Sequence, residues 1–226
     1  MLRSLVSGLP VSAPEDFTPE PERTICITGH RAKYITPLNG DSSLLPLTIK
    51  CVYLMLCRYI DLAAAAGYDT FMDGLATGTD LWAARHIVNR KKSGQALRLN
   101  GVMPFLRHAD RIYGSERELL RDVELNCDDL ICTSSDPFIV YSGTGPGKSL
   151  YRIRNYFMAD CSSAAVAFLD DDKRRSGTGQ TVAYLTSRGK PAAVFGNSDI
   201  HRLMLESGGE QAAFEELLGS LPDPFR

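Results

Sequence analysis

The sequence predicts an α/β protein: a doubly wound, mainly parallel sheet with helices on both faces. Short runs of β-favouring residues alternate with longer segments patterned at the helical period. Runs such as Thr24-Ile25-Cys26-Ile27 are continuous, as strands buried on both faces are. Glycine-bearing loops follow several of these runs, where open parallel sheets bind their ligands.

The N-terminal stretch 1–23 carries one early arginine and a short apolar patch, then turns to Pro, Glu and Ser, and reads as a flexible, loosely held extension. Residues 24–226 read as a single domain, since neither an internal repeat nor a low-complexity tract interrupts them. The first strand runs from Thr24 into Thr28-Gly29-His30-Arg31. A loop with Pro37, Asn39, Gly40 and Asp41 leads to a helix over Pro46–Ala66, opened by the proline and ended by Gly67. Tyr68–Asp73 is the second strand, and a helix follows it through Leu81, Trp82, Ala84, Ile87 and Val88. The third strand, Leu97–Met103, is closed by Pro104, and an amphipathic helix spans Ser115–Asn126. Asp129–Thr133 is the fourth strand and Ser149–Cys161 a helix in which Ile153, Phe157 and Cys161 share a face expected to be core. Strands over Ala164–Leu169 and Pro191–Phe195 flank a helix at Thr178–Arg188, and Gln211–Leu218 is a closing helix.

Composition narrows the function classes. Of 226 residues, 44% are hydrophobic and 23% charged, and the formal net charge of -2 gives no overall attraction to nucleic acid or to an anionic membrane. No apolar run reads as approaching the roughly 20 residues a membrane helix needs. The six cysteines form no C-x-x-C pair and fall mostly in apolar segments, which fits buried thiols in a reducing cytoplasm better than disulfides or zinc.

The chemistry concentrates in loops after strands. In Thr28-Gly29-His30-Arg31, the glycine permits close approach of a ligand and Arg31 offers a planar fork for phosphate or carboxylate. Gly74-Leu75-Ala76-Thr77-Gly78-Thr79-Asp80 opens a helix whose free N–H groups suit an anion, with Thr77, Thr79 or Asp80 placed to cap it. Ser176-Gly177-Thr178-Gly179-Gln180-Thr181 repeats that logic, Thr178 and Thr181 supplying hydroxyls. Arg154 and Asn155, early in their helix, are candidates to reach a phosphate or base edge, and Asp160 ends that helix where its charge opposes the dipole. Asp170-Asp171-Asp172 has the composition to hold Mg²⁺ beside a phosphate, although a solvated loop explains three acids before Lys173-Arg174-Arg175 equally well. No resident cofactor is required by any of these motifs. Ser142-Gly143-Thr144-Gly145-Pro146-Gly147-Lys148-Ser149 imitates a Walker loop but has Ser142 where the first glycine belongs. The loop 134–148 that holds it reads as a lid or a plain surface loop. His86 and His108 lack metal-ligand spacing, and Trp82 reads as core.

Four of these motifs occur in order: Thr28-Gly29-His30-Arg31, Gly74 through Asp80-Leu81-Trp82-Ala83-Ala84, Arg154-Asn155-x-x-Met158-x-Asp160, and Gly177-Thr178-x-x-Thr181-Val182. Together they resemble the YpsA-like branch of the SLOG superfamily, related to the DprA and LOG proteins, over roughly 24–195. The resemblance implies a Rossmann-like fold, a small nucleotide or nucleotide-derived ligand at these loops, and a homodimer. The LOG enzymes of that superfamily cleave the N-glycosidic bond of nucleoside monophosphates and carry P-G-G-x-G-T-x-x-E with a catalytic glutamate. The corresponding stretch here, Ser176 to Tyr184, holds no acid. The expectation is therefore a ligand-binding sensor or regulator. The alternatives are a hydrolase of a nucleotide or ADP-ribose-like compound using Asp160 or Asp170, and a scaffold with a vestigial pocket.

Overall fold

The computed structural model describes residues 2–139, 146–170, 172 and 175–226. In chain order the first elements are β1 (Leu2–Arg3), β2 (Pro10–Val11), β3 (Thr24–Gly29), α1 (Leu45–Ala65), β4 (Thr70–Asp73), α2 (Thr79–Lys92) and β5 (Arg98–Met103). They are followed by α3 (Gly114–Leu125), β6 (Asp129–Cys132), α4 (Pro146–Asp160), β7 (Ala164–Phe168), α5 (Gly177–Ser187), β8 (Ala192–Phe195), α6 (Asn197–Glu206) and α7 (Gln211–Ser220).

The sheet has six strands in the order β6-β5-β4-β3-β7-β8, and every pairing in it is parallel. The chain winds outward from β3 to β6, then returns through α4 to lay β7 on the other side of β3. The strand order reverses there, so the carboxyl ends of β3 and β7 flank the switch point at which open α/β sheets leave a ligand crevice. Alternation along each strand divides the core. Ile25, Ile27, Phe71, Val166 and Phe168 face α1, α2 and α6, while Cys26, Met72, Val102, Ile131 and Ala165 lie under Met158, Ala159 and Leu185 of α4 and α5.

Several expectations change. The N-terminal stretch is packed rather than loose. β1 and β2 form an antiparallel hairpin, and Ser12 then extends the open edge of β6. Its N–H donates to Leu130 O at 2.9 Å and its carbonyl accepts from Cys132 N at 3.0 Å. Unpaired backbone groups on an edge strand attract such a segment. Fully buried Glu124 fastens the hairpin, accepting from the Ser4 hydroxyl and, at 3.2 Å, from the Ser7 N–H. Helix α6 went unpredicted, and it is started by Asp199 accepting from Gly196 N at 2.9 Å.

The reading that no segment reaches membrane-helix length is also corrected. The 24 residues Ser42–Ala65 are long and apolar enough by length and composition, holding an 18-residue window of mean hydropathy 1.4. Here that helix is a core element, with Val52, Met55, Leu56 and Ile60 packed inside. Residues 140–145 lie outside the described residues, and with them half of the Walker-like stretch and part of the expected lid, as do Asp171, Lys173 and Arg174.

Replacing Ser4 by Ala removes one donor from a buried carboxylate, so the fold is expected to lose about 1–3 kcal/mol. Thermal melting checks this; an unchanged melting temperature would mean that the hairpin is not fastened through Glu124.

Candidate functional site

The site is assembled from the carboxyl end of β3 outward. Gly29 is in register with Phe168 of β7, and His30 N–H donates to Phe168 O at 3.2 Å. The His30 carbonyl in turn accepts from Thr79 Oγ1 at 2.8 Å and from Thr79 N at 3.4 Å. This draws the start of α2 against the end of β3. A Cβ on Gly29 would stand 2.1 Å from Thr79 Oγ1, and one on Gly78, where φ is +90°, would stand 2.7 Å from Ala32 N. The space beside Gly29 is thus filled by the protein's own second loop, which corrects the reading that it admits a ligand. Gly78 itself occupies the cap position of α2 and no side chain among the described residues caps that helix, so Thr77, Thr79 and Asp80 do not serve as expected.

Arg154 joins the third element. The buried residues of α4 among those described are Arg154, Met158 and Ala159; of the expected core face, Cys161 just after the helix is buried and Phe157 packs partly buried against the core, whereas Ile153 is 48% exposed. A charged residue occupies an apolar slot because it finds partners there. Arg154 Nη1 lies 3.8 Å from Asp80 Oδ2 and 3.9 Å from Met158 sulfur, and the guanidinium stands 5.8 Å from the Tyr151 ring centre. It sits so tightly on Gly74 that a Cβ there would be 1.4 Å from Nη1. Its Nε meets no acceptor among the described residues.

Beneath it lies a residue that sequence reasoning missed. Asp73 ends β4 fully buried, and its Oδ1 accepts from Leu75 N–H at 2.7 Å. That bond holds Leu75 at φ +55°, a conformation few non-glycine residues adopt. Asp73 Oδ2 and Asp80 Oδ1 meet no donor among the described residues. Burial pushes the Asp80 carboxyl from 3.8 up to about 6, although Arg154 and the amides of Gly29 and Ala76 pull it down. Burial, and then the Asp80 charge, hold Asp73 well above the usual carboxylate range. The signal in the sequence was an acid ending an apolar strand immediately before a glycine.

The N-terminus of α5 completes the group. Ser176 Oγ caps it, accepting from Gly179 N at 3.0 Å, and Gln180 N donates to Ser176 O at 2.9 Å. Among the described residues the amides of Gly177 and Thr178 meet no acceptor, and they stand as the open donors of the first turn. Thr181 Oγ1 donates to Gly177 O at 2.9 Å, so its proton is committed within the helix; Thr178 is buried. Asn155 Nδ2 reaches Gly177 O at 3.5 Å. Adjacent residues of α4 thus touch both helix starts, Arg154 at α2 and Asn155 at α5. Thr28 and His30 are buried, and Arg31 is exposed near enough to Asp80 to favour its charged form. His108, after β5, is pushed down to about 3 by burial and by Arg154.

The two candidate acids separate. Asp170 follows β7 at the crevice end of the sheet, its Cα 3.7 Å from where a Cβ on Gly196 would be. Asp160 ends α4 just before β7 begins, and neighbouring Ser163 N donates to Thr24 O at the opposite end of β3. It is spent on the surface, accepting from Tyr184 OH at 2.8 Å and lying 3.7 Å from Arg188 Nε. A helix running antiparallel to the strands carries its last residue away from their carboxyl ends. Among the described residues no group of three or more His, Cys, Asp or Glu is placed to hold a metal ion.

A parallel sheet whose strand order reverses at β3 and β7, with helix starts and a buried arginine at that reversal, defines a Rossmann-like α/β protein. The chain belongs to the YpsA family of the SLOG group: the family model described as the YspA SLOG family matches residues 25–191. DNA processing protein A (DprA) from Streptococcus pneumoniae is among the solved structures it resembles, with a TM-score of 0.48 and 16% identity over 88% of this chain. The chain spans 62% of that DprA chain. No curated protein matches it.

Gly74→Ala is expected to expel the Arg154 guanidinium and destabilise the fold by about 1–3 kcal/mol, the range of overpacked cores. Gly177→Ala should be near neutral, because its Cβ would meet nothing nearer than Asn155 Nδ2 at 3.7 Å. Denaturant unfolding of the two variants checks the contrast; equal losses would contradict it. The buried acids also fix a pH dependence. Asp80 holds its proton to about 6 in the folded chain and only to about 3.8 unfolded, so stability is greatest below 3.8 and falls as pH rises to about 6 as far as this group contributes. Asp80→Asn should flatten that interval in pH-dependent melting.

Proposed function

We propose that the chain binds a nucleotide or nucleotide-derived ligand in the crevice between the carboxyl ends of β3 and β7, and acts as a sensor or regulator in the cytoplasm. The observation that carries the reading is the pairing on α4. Arg154 and Asn155 bring the starts of α2 and α5 to one place, with the Nε of a buried guanidinium meeting no acceptor among the described residues. Helix starts and guanidinium groups recognise phosphate through the same chemistry, amide or N–H donors backed by positive charge. Arg31 adds an exposed charge at the mouth. In this arrangement Thr28, Gly29, His30, Gly74, Gly78, Thr79 and Asp80 hold the framework, while Arg31, Arg154, Asn155, Gly177 and Thr178 face the ligand. Six free thiols support a reducing compartment. A homodimer follows only from the family resemblance.

The hydrolytic alternative retains Asp170, which follows β7 at the crevice end, as its acid. Cleavage of an N-glycosidic bond would be read directly as free base or sugar phosphate, and its loss in Asp170→Asn would place that acid.

Incubating the protein with nucleoside monophosphates, NAD and ADP-ribose, followed by chromatography, separates retention from turnover. Gly177→Leu is expected to fold normally and to lose retention at least tenfold, because the added bulk covers the open amides of α5. Undiminished retention in that variant would remove the assignment of α5 to the pocket.

A further inference from the structure

The buried acids under Arg154 do not fit a simple ion pair. One guanidinium faces two carboxyls, and its Nη1 approaches Asp80 only to 3.8 Å. One oxygen of each carboxyl meets no donor among the described residues, and both residues are buried, with Asp73 0% and Asp80 4% exposed. Two desolvated like charges with unsatisfied oxygens are stable only if a proton is retained between them or an additional donor is brought in. Among the described residues, the other charged and titratable groups around them do not supply that donor. Lys190, known here by its effect on the Cys26 thiol, donates to the carbonyls of Ala159 at 2.7 Å and Ser162 at 2.5 Å. The thiols of Cys26 on β3 and Cys127 after α3 are themselves held far up by burial and by these acids, so neither is an anion. Arg31 after β3 acts from an exposed position, and His108 after β5 is kept neutral beside Arg154.

We propose that Asp73 and Asp80 share one proton beneath Arg154 at neutral pH, and that this pair positions the guanidinium and sets how strongly it holds an anionic ligand. The inference rests on the nucleotide-ligand reading for its second half only. Asp73 is the neutral member, fixed from below by Leu75 N–H, and Asp80 is the member that ionises against Arg154. When Asp80 takes up a proton, the guanidinium keeps its full charge for the ligand. When Asp80 loses it, part of that charge is neutralised from behind. An anion arriving at Arg154 must by linkage raise the affinity of Asp80 for its proton, so binding is tighter below the midpoint than above it.

ADP-ribose is a suitable probe, since its bridging phosphates do not themselves titrate between about pH 5 and pH 8, leaving the protein as the source of any step. Calorimetric titration of the full chain at constant ionic strength is expected to show affinity about tenfold higher at pH 5 than at pH 8, corresponding to a shift of about one pKa unit on binding. The step should be centred near pH 6. Asp80→Asn keeps an acceptor for the nearby amides and should remove the step. A step that persists unchanged in Asp80→Asn belongs to another group and overturns the proposal.

Infrared spectroscopy tests the shared proton without any ligand. A protonated-carboxyl carbonyl band should be present at pH 7 in the wild-type chain and absent from Asp73→Asn. Its absence from the wild type overturns the proposal whatever binds. If ADP-ribose fails to bind at every pH while the band is present, the ligand reading is at fault and the proton-sharing pair stands.

Discussion

The arrangement depends on one insertion: the Arg154 guanidinium lying on Gly74 with Asp80 beside it. It joins α4 to the loop after β4, and that loop is already fixed to β3 through the bonds from Thr79 to the His30 carbonyl. Burying a guanidinium is expensive unless it is paired, so its position is strongly determined once Asp80 is in place. Gly74 is required because nothing larger leaves room, and Gly29 is required for the same reason on the next strand. The crevice is therefore organised from beneath by polar contacts before any ligand reaches it, which is the condition for binding without a large ordering cost.

The fold was legible because its signals are local and repeated. Continuous apolar strands, helical periodicity and the glycines and prolines at the ends located all six strands of the main sheet within a few residues. What escaped was set by distant partners. The hairpin at Leu2–Val11 has little pattern of its own and is fixed by the edge of β6 and by Glu124. Helix α6 has only ten residues, and it opens with Gly196, Asn197, Ser198 and Asp199, a cluster that reads as a turn.

The site was legible as positions and less so as roles. Glycines after strands marked loops that the fold brings together, yet Gly29, Gly74 and Gly78 make room for protein atoms, and Gly177 alone of these leaves room for a Cβ, in ordinary contact with Asn155 Nδ2. Arg154 was singled out, but the helical period assigned its neighbour Ile153 to the core, because a periodicity rule treats arginine as solvent-facing. Asp73 was passed over for the complementary reason: as the last residue of a strand it reads as the beginning of a loop. Asp160 was noticed for its conflict with the helix dipole, and the structure resolves that conflict through Tyr184 and Arg188, at the end of the sheet away from the crevice.

The central claim, that a phosphate-bearing ligand sits where β3 and β7 part, is tested most directly by mapping amide chemical shifts of the labelled protein as ADP-ribose is added. The largest changes are predicted at Arg31, at Gly74–Asp80 and at Gly177 and Thr178, with the Arg154 Nε–H resonance moving with them. Changes gathered instead along the apolar groove lined by Leu47, Leu54, Met204 and Phe214, which contains none of these residues, would contradict the account.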